Sequence, residues 1–600
     1  MAEGDARVRA TIEKYFGIGP EEVDSVLASV ATLQLDGGDW LFRQGDAGDS
    51  LYFLVRGRLQ VSVRGDAAAP DAAGTVLGEI APGESVGELG LLTGASRSAS
   101  VRALRSSELV RIDRATFERL AQQHPTLVLR LAGSIAATLQ KRTARAPSSA
   151  RGLRTITLLA LDQSERAREF RTELVSGLGR TGPTVTVTRA DLERYGGAPD
   201  GVVPAEFRGW LHETEDQNRF VIFECAAQDS VWVRFALQQS DVVLSYADAS
   251  GNPLPDTGER ELLERNDKLQ ARRVLVLLQP ARSDAIRGTA RWLAPRRVDF
   301  HLHVRADSLG DTERVVRVLS GNAVGLVLAA GAARGLSHYG VYRALAEAGV
   351  PIDWIGGTSV GAMIGATMAT GWPYEEMLEK ARAAFVHAKP FSEWTLPLIS
   401  LIRGKRIWRQ LKRFLDLDIE DLPTPFFCVS CNFNSGALNL HESGPLPLAL
   451  RASAALPGVL PPAVYQRQLA IDGMVLNNLP VDLMQHKPVG RIVAVDLSST
   501  KEYQVEYNYL PSPWLVLRQR LLPFGRKVRA PSLMTVMLKA TELGTLAHVR
   551  ELGQRADLLL TPPVRQFGMM DLGAMDKIVA AGYAYAKPEV AAWAERTAKG

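Results

Sequence analysis

The stretch Gly356-Gly357-Thr358-Ser359-Val360-Gly361-Ala362 places a serine where it could act as a nucleophile. It follows the mostly apolar run Val350 to Ile355 and precedes the helical run Ala362 to Met368. The order reads as strand, tight turn and helix, with Ser359 at the apex. A glycine two positions to either side lets the turn bend without Cβ clashes. The Ser359 hydroxyl then stands clear of the backbone at a helix N-terminus. A serine so held accepts an acyl group if a base and an oxyanion site lie close by. Alone, the pattern G-x-S-x-G also describes a plain strand-to-helix turn.

Two further stretches supply the missing partners. Upstream, Val327-Leu328-Ala329-Ala330-Gly331-Ala332-Ala333-Arg334-Gly335 joins an apolar strand to the helical run Leu336 to Ala348. Small residues there let backbone N–H groups point at an anion, and the helix dipole favours negative charge. Downstream, Ala470-Ile471-Asp472-Gly473-Met474-Val475-Leu476-Asn477-Asn478-Leu479-Pro480 ends a strand with an Asp-Gly turn. An anion-binding turn, an exposed serine and a carboxylate thus sit at strand ends of one α/β unit. This ordered set resembles the patatin-like phospholipases, most closely their neuropathy target esterase branch. The run Arg451-Ala452-Ser453-Ala454-Ala455-Leu456-Pro457-Gly458-Val459-Leu460-Pro461-Pro462 and the pattern D-G-x-x-x-N-N-L-P fit the same branch. The resemblance is close over residues 324–497 and looser to about Tyr585.

The resemblance implies an α/β hydrolase domain with a mainly parallel sheet. It implies a dyad without histidine, Ser359 as nucleophile and Asp472 as general base, with no metal and no cofactor for catalysis. The backbone N–H groups of Gly331 and Ala332, with Arg334 nearby, would hold the oxyanion. The substrate would be a phospholipid or lysophospholipid. One departure stands out: the family's loop carries consecutive glycines, whereas positions 329, 330 and 332 here are alanine. A positive φ at any of them would cost about 1–2 kcal/mol. A competing reading is therefore a regulatory scaffold whose hydrolase fold turns over weakly or not at all. His338, in the helix after the loop, reads as a packing residue.

Earlier in the chain, residues 35–112 read as short strands separated by glycine turns, a β-roll. Leu51 to Val55 and Leu59 to Val63 flank Arg56-Gly57-Arg58 as an expected hairpin. Within this region Val86-Gly87-Glu88-Leu89-Gly90-Leu91-Leu92-Thr93-Gly94-Ala95-Ser96-Arg97-Ser98 resembles the phosphate-binding cassette of cyclic-nucleotide-binding domains. A cyclic phosphate suits a forked guanidinium, so Arg97 would take it. Amides near Gly87 and Glu88 would add donors and Glu88 would accept from the ribose, with Leu89 and Ser98 beside them. The ligand implied is cAMP or cGMP, acting allosterically. The helical run Thr126 to Thr143 would transmit occupancy.

Composition sets the remaining expectations. The chain has 600 residues, a formal net charge of +4 and 46% hydrophobic residues, which fits a multidomain globular protein with no global pull toward nucleic acid. Expected borders are 1–143 for the cyclic-nucleotide-binding β-roll, 144–152 for a linker, 153–321 for an α/β spacer domain and 322–600 for the patatin-like domain. The spacer's first turn, Leu161-Asp162-Gln163-Ser164, has no glycine-rich phosphate loop, so no nucleotide is expected there. Three cysteines cannot form a disulfide framework, and Cys428-Val-Ser-Cys431 reads as strand packing. With no secretory signal in Met1 to Arg9 and no long apolar run, a cytoplasmic location is expected. Two stretches, Trp394 to Leu415 and Tyr509 to Lys539, mix tryptophan and leucine with arginine and lysine. That composition suits contact with an anionic membrane face, or amphipathic helices packed on the core.

Overall fold

The computed structural model describes residues 30–63, 75–123, 153–197, 203–226, 230–260, 271–281, 286–498 and 533–598, with a few single positions besides. The expected helix 126–143, the linker and most of 509–532 lie outside the described residues. The chain divides into two compact units, Met1–Gly321 and Asn322–Gly600.

The first unit opens with two antiparallel four-stranded sheets. One orders Ala31–Leu35, Ser107–Asp113, Ser50–Arg56 and Ser85–Val86; the other orders Trp40–Phe42, Ser100–Ala103, Leu59–Val63 and Thr75–Ile80. The expected hairpin is therefore wrong in one respect. Ser50–Arg56 and Leu59–Val63 do not pair; they belong to opposite sheets. Tyr52 and Leu54 face Leu59 and Val61 across the interior of the roll, in one buried cluster. Burying both apolar faces against each other outweighs the local hydrogen bonding a tight turn would allow. A parallel six-stranded sheet follows, ordered Thr184–Val187, Phe220–Ala226, Thr155–Ala160, Val242–Asp248, Arg272–Gln279 and Phe300–Arg305. The roll meets this layer at Asp241, which is buried and ion-paired to Arg105 Nε at 3.1 Å and Arg58 Nε at 3.9 Å.

The second unit is built on an eight-stranded sheet. We name its strands β1 (Val324–Leu328), β2 (Trp354–Thr358), β3 (Phe426–Asn432), β4 (Leu438–His441), β5 (Ala463–Tyr465), β6 (Gln468–Asp472), β7 (Arg491–Val495) and β8 (Leu558–Leu560). The order is β5-β6-β3-β2-β1-β7-β8, with β4 on β3. The run from β3 to β8 is parallel, and β4, β5 and β6 add antiparallel pairs at one side. β1, β2 and β3 are buried along their whole length, as strands covered on both faces must be.

The helices that matter below are α1 (Ser337–Glu347), α2 (Val360–Ala369), α3 (Tyr374–Ala381), α4 (Lys405–Phe414), α5 (Leu446–Ser453) and α6 (Met575–Ala598). α1 and α6 touch backbone to backbone. A Cβ at Gly340 would lie 2.1 Å from Val579 O, and one at Gly582 would lie 2.3 Å from Ser337 O.

Candidate active site

Strand register brings the serine and the carboxylate together. Thr358, the last residue of β2, sits opposite Val429 on β3, and the next residue of β3, Ser430, sits opposite Asp472 on β6. Ser359 then leaves β2 at φ 57° and ψ −122°, a conformation that costs a non-glycine residue about 1–3 kcal/mol. Its surroundings enforce it. The Ser359 N–H donates to Ser453 Oγ at 2.9 Å, and Thr358 Oγ1 donates to Asn477 O at 3.0 Å. Any side chain at 361 is excluded, since its Cβ would lie 2.3 Å from Leu328 O; at 357 it would lie 2.8 Å from Ala362 N. The Ser359 hydroxyl donates to Asp472 Oδ2 at 2.6 Å. Asp472 is wholly buried, and its Oδ1 accepts the Met474 N–H at 2.9 Å. Burial raises its carboxyl to about 7, against the two hydrogen bonds, which lower it.

The loop after β1 lines the same cleft as Ser359. Its amides are shared out in sequence: Ala329 N–H to Val495 O (3.1 Å), Ala330 N–H to Asn478 Oδ1 (3.1 Å) and Ala333 N–H to Met569 O (2.9 Å). Among the described residues, no protein acceptor takes the N–H of Gly331 or Ala332. Gly331 is extended (φ 179°), while Ala332 is left-handed (φ 50°); Ala329 and Ala330 are not. Arg334 Nε donates to Phe567 O at 3.0 Å and Nη2 to Arg565 O at 3.3 Å, tying the loop to the chain before α6. His338 is buried beneath the loop with Nε2 2.9 Å from Ala329 O. Burial lowers its imidazole to about 4, so the ring is neutral and Nε2–H donates to that carbonyl.

Ser359 opens onto a cleft enclosing about 1440 Å³, mouth included. Its walls come from α2, α4, the π-helical turn Arg382–His387 and the segment 569–572. Met363, Phe385, Ile407, Leu411, Leu456 and Met570 are typical of its lining. The lining also includes Tyr339, whose hydroxyl lies 3.0 Å from Thr367 Oγ1, and Gln410, whose Oε1 is buried with no hydrogen-bond partner among the described residues.

In the first unit the expected cassette gathers around the short helix Glu88–Thr93, which Gly87 precedes. Arg97 is buried (4% exposed), its guanidinium 4.3 Å from the centre of the Phe42 ring. Nη1 donates to Gly87 O at 2.9 Å and Nη2 to Ser50 O at 2.8 Å. Glu88 is half-buried, and Leu89 and Ser98 are exposed.

Comparison with known proteins covers most of the chain. The family profile described as patatin-like phospholipase matches residues 326–484, the cyclic nucleotide-binding domain profile 32–124, and the neuropathy target esterase family P-loop like domain 152–327. An uncharacterised NTE family protein of Mycobacterium bovis is 32% identical over 94% of this chain and 93% of its own length. The chain belongs to the neuropathy target esterase family. Animal members are longer. Patatin-like phospholipase domain-containing protein 6 of Pongo abelii is 30% identical over 93% of this chain but only 44% of its own length. Neuropathy target esterase sws of Drosophila melanogaster is 28% identical over 92% of this chain and 42% of its own. The chain thus spans less than half the length of these animal relatives.

Within this family member, Ser359 bonds Asp472 and lines one cleft with Gly331 and Ala332, and the Arg334 guanidinium donates to the carbonyls of 565 and 567. Sequence reasoning quoted Ser453, Asn477 and Asn478 only as part of motifs; their bonds to the elbow and loop emerge from tertiary packing. The cleft wall at 569–572 was missed entirely, because a short irregular segment carries no periodicity. The P-loop-like layer has Asp162 at the turn after its first strand, accepting N–H groups of Ser164 (2.8 Å) and Asp248 (2.6 Å). A carboxylate thus occupies the position at which a phosphate loop would present its amides. Cys428 and Cys431 are buried on β3, three residues apart and so on opposite faces of the strand.

Proposed function

We propose that the protein is a serine esterase that hydrolyses acyl esters of phospholipids or lysophospholipids through Ser359 and Asp472. The observation that carries this reading is the 2.6 Å hydrogen bond from Ser359 Oγ to a fully buried carboxylate at the foot of an apolar cleft. Ser359 Oγ attacks the ester carbonyl carbon as its proton passes to Asp472 Oδ2. A carboxyl raised to about 7 is basic enough to take that proton near neutrality. The carbonyl oxygen becomes an oxyanion and accepts from the Gly331 and Ala332 N–H groups. Arg334 holds the loop in that shape. The tetrahedral intermediate collapses, and the leaving alkoxide takes the proton from Asp472. Water then gives a proton to Asp472 as it attacks the acyl-enzyme; the second intermediate collapses, Ser359 Oγ takes that proton back from Asp472, and the fatty acid leaves. The cleft accommodates the acyl chain.

Cyclic AMP or cyclic GMP binds the first unit in this reading and regulates the esterase. Arg97 gives up one or both backbone carbonyls for the phosphate, and Glu88 accepts from the ribose. The deciding experiment is hydrolysis of lysophosphatidylcholine by the purified chain, wild type against Ser359→Ala, with a fluorophosphonate probe to locate the nucleophile. Turnover in the wild type alone, and labelling at Ser359, are the expected results. The competing reading, a scaffold with a weak hydrolase, draws on the left-handed Ala332, but an alanine there keeps its N–H donor.

A further inference from the structure

Between the π-helical turn and α4, residues 393–403 form a narrow loop with a rigid base. Arg403 N–H donates to Glu393 O at 3.0 Å and Thr395 N–H to Leu401 O at 3.1 Å, with Trp394 and Ile402 bridged between them. The returning leg is also fastened to the body of the unit, Leu401 N–H to Gly458 O (2.9 Å) and Ile402 N–H to Val459 O (3.0 Å). A loop so well anchored could fold its apolar residues inward. It does the opposite: Trp394, Leu396, Leu398 and Ile399 are 63%, 72%, 83% and 74% exposed. Apolar side chains concentrated at one tip, rather than scattered, mark a surface that leaves water in use.

The neighbouring helix is two-faced. Ile407 and Leu411 of α4 line the cleft, as do Pro390 and Phe391 at the other end of the loop. The outer face of α4 shows Lys405, Arg409, Lys412 and Arg413 around a partly exposed Trp408. Arg409 and Lys412 reach Glu393 and Asp416, yet their side chains stay 68% and 47% exposed. Long cationic stems left in solvent beside an apolar tip match a surface of diffuse negative charge over hydrocarbon. A protein partner would instead be expected to draw directional polar groups to the tip, whose sequence is Leu396-Pro397-Leu398-Ile399.

We propose that the loop Trp394–Ile402 and the basic face of α4 dock the second unit on an anionic bilayer, the loop tip entering the boundary between headgroups and acyl chains. The proposal builds on the reading of the cleft as a lipid site, because α4, whose outer face docks, lines the cleft with Ile407 and Leu411 on its inner face.

The test uses the full chain and vesicles of phosphatidylcholine, alone or mixed with phosphatidylglycerol. The wild type is expected to sediment preferentially with the mixed vesicles, less so at high salt. The variant Leu396→Ser/Leu398→Ser/Ile399→Ser should bind at least about tenfold more weakly. Lys405→Glu/Arg409→Glu should lose the preference for anionic lipid. None of these residues lines the cleft, so hydrolysis of a water-soluble short-chain ester should match wild type in both variants, while hydrolysis of vesicle-borne substrate falls. Brominated lipid should quench the wild type more than Trp394→Phe. If no ester is hydrolysed by any form but the tip variant, with an unchanged thermal melt, still loses vesicle binding, the esterase reading fails and docking stands. Equal vesicle binding by wild type and tip variant overturns the docking proposal. So does a fall in oligomeric mass in the tip variant, which would show that a second copy covers the loop.

Discussion

The chemistry of single residues sets the pH behaviour. Asp472 is raised from 3.8 to about 7, so the folded protein holds this proton more tightly than the unfolded chain does. The burden on folding is absent below pH ~4, grows as the carboxyl ionises and is complete above pH ~7, where it reaches an upper bound of about 4 kcal/mol. Asp472→Asn should therefore abolish ester hydrolysis yet raise the melting temperature at pH 8, with the gain shrinking as pH falls and vanishing near pH ~4. Calorimetry across that range checks it, and an equal or lower melting temperature at pH 8 would contradict the buried-base reading. In the wild type, kcat/KM for a soluble ester should fall with an acid limb near pH 7, as the base is protonated. His338 acts in the opposite sense. Lowered to about 4, it is neutral when folded, so its contribution is lost as pH falls from ~6.5 toward ~4. Ala332 bears the left-handed strain at φ 50°, and its neighbour Ala330 does not. Ala332→Gly should relieve about 1–2 kcal/mol of strain, less about 0.4–1 kcal/mol for the looser unfolded chain. Ala330→Gly should only destabilise. Denaturant melts of the two variants should separate them; the same sign for both would refute the assignment of strain to 332.

Elements position these residues through bonds that a sequence does not advertise. The strand-turn-helix at Ser359 was legible because G-x-S-x-G has a steric reason at each glycine, and the structure supplies it in Leu328 O and Ala362 N. The parallel layer of the first unit was legible from alternating apolar runs. The partnership of Ser50–Arg56 with Ser107–Asp113 was not, because a short turn and two alternating strands fit a hairpin and a crossover equally well, and only the interior of the roll decides between them. The Ser453 bond to the elbow was invisible for a similar reason: it joins residues 94 apart through the packing of α5. Ser453→Ala should leave a buried N–H unpaired in a strained turn, at about 1–3 kcal/mol. We expect kcat on a soluble ester to drop and KM to hold. Unchanged kinetics and an unchanged melt would mean that the elbow keeps its shape without this bond.

At the scale of the whole molecule, the proposed nucleotide pocket and the proposed esterase site lie on different compact units of one chain. A coupling of about 1–3 kcal/mol is usual for such linkage, a several-fold change in activity. Arg97→Ala should weaken cAMP or cGMP binding sharply while basal esterase activity persists. Titration calorimetry with both nucleotides is the check; no heat and no thermal shift in the wild type at saturating ligand would assign the roll a structural role. Within the first unit, the Ser50–Arg56 strand begins at the carbonyl that Arg97 holds and runs toward Arg58, which meets the buried Asp241 of the parallel layer. Removing that carboxylate takes an anion from two buried guanidinium groups, which keep Glu79 and Glu215, and takes the acceptor from the Arg154 and Thr155 N–H groups. Asp241→Ala should destabilise the unit by about 3–5 kcal/mol, measurable as an earlier unfolding transition.

The bare contact between α1 and α6 bears on how this protein tolerates change. With carbonyl oxygens about 2 Å from where a Cβ would stand at Gly340 and Gly582, even alanine has no room there. α1 carries the histidine beneath the loop, so forcing the helices apart would disturb the catalytic geometry from below. In a saturation library selected on activity, 340 and 582 should be as intolerant as 359 and 472. Sorted instead on abundance in the cell, the two pairs should part company: alanine at 359 accumulates normally, and alanine at 340 or 582 does not.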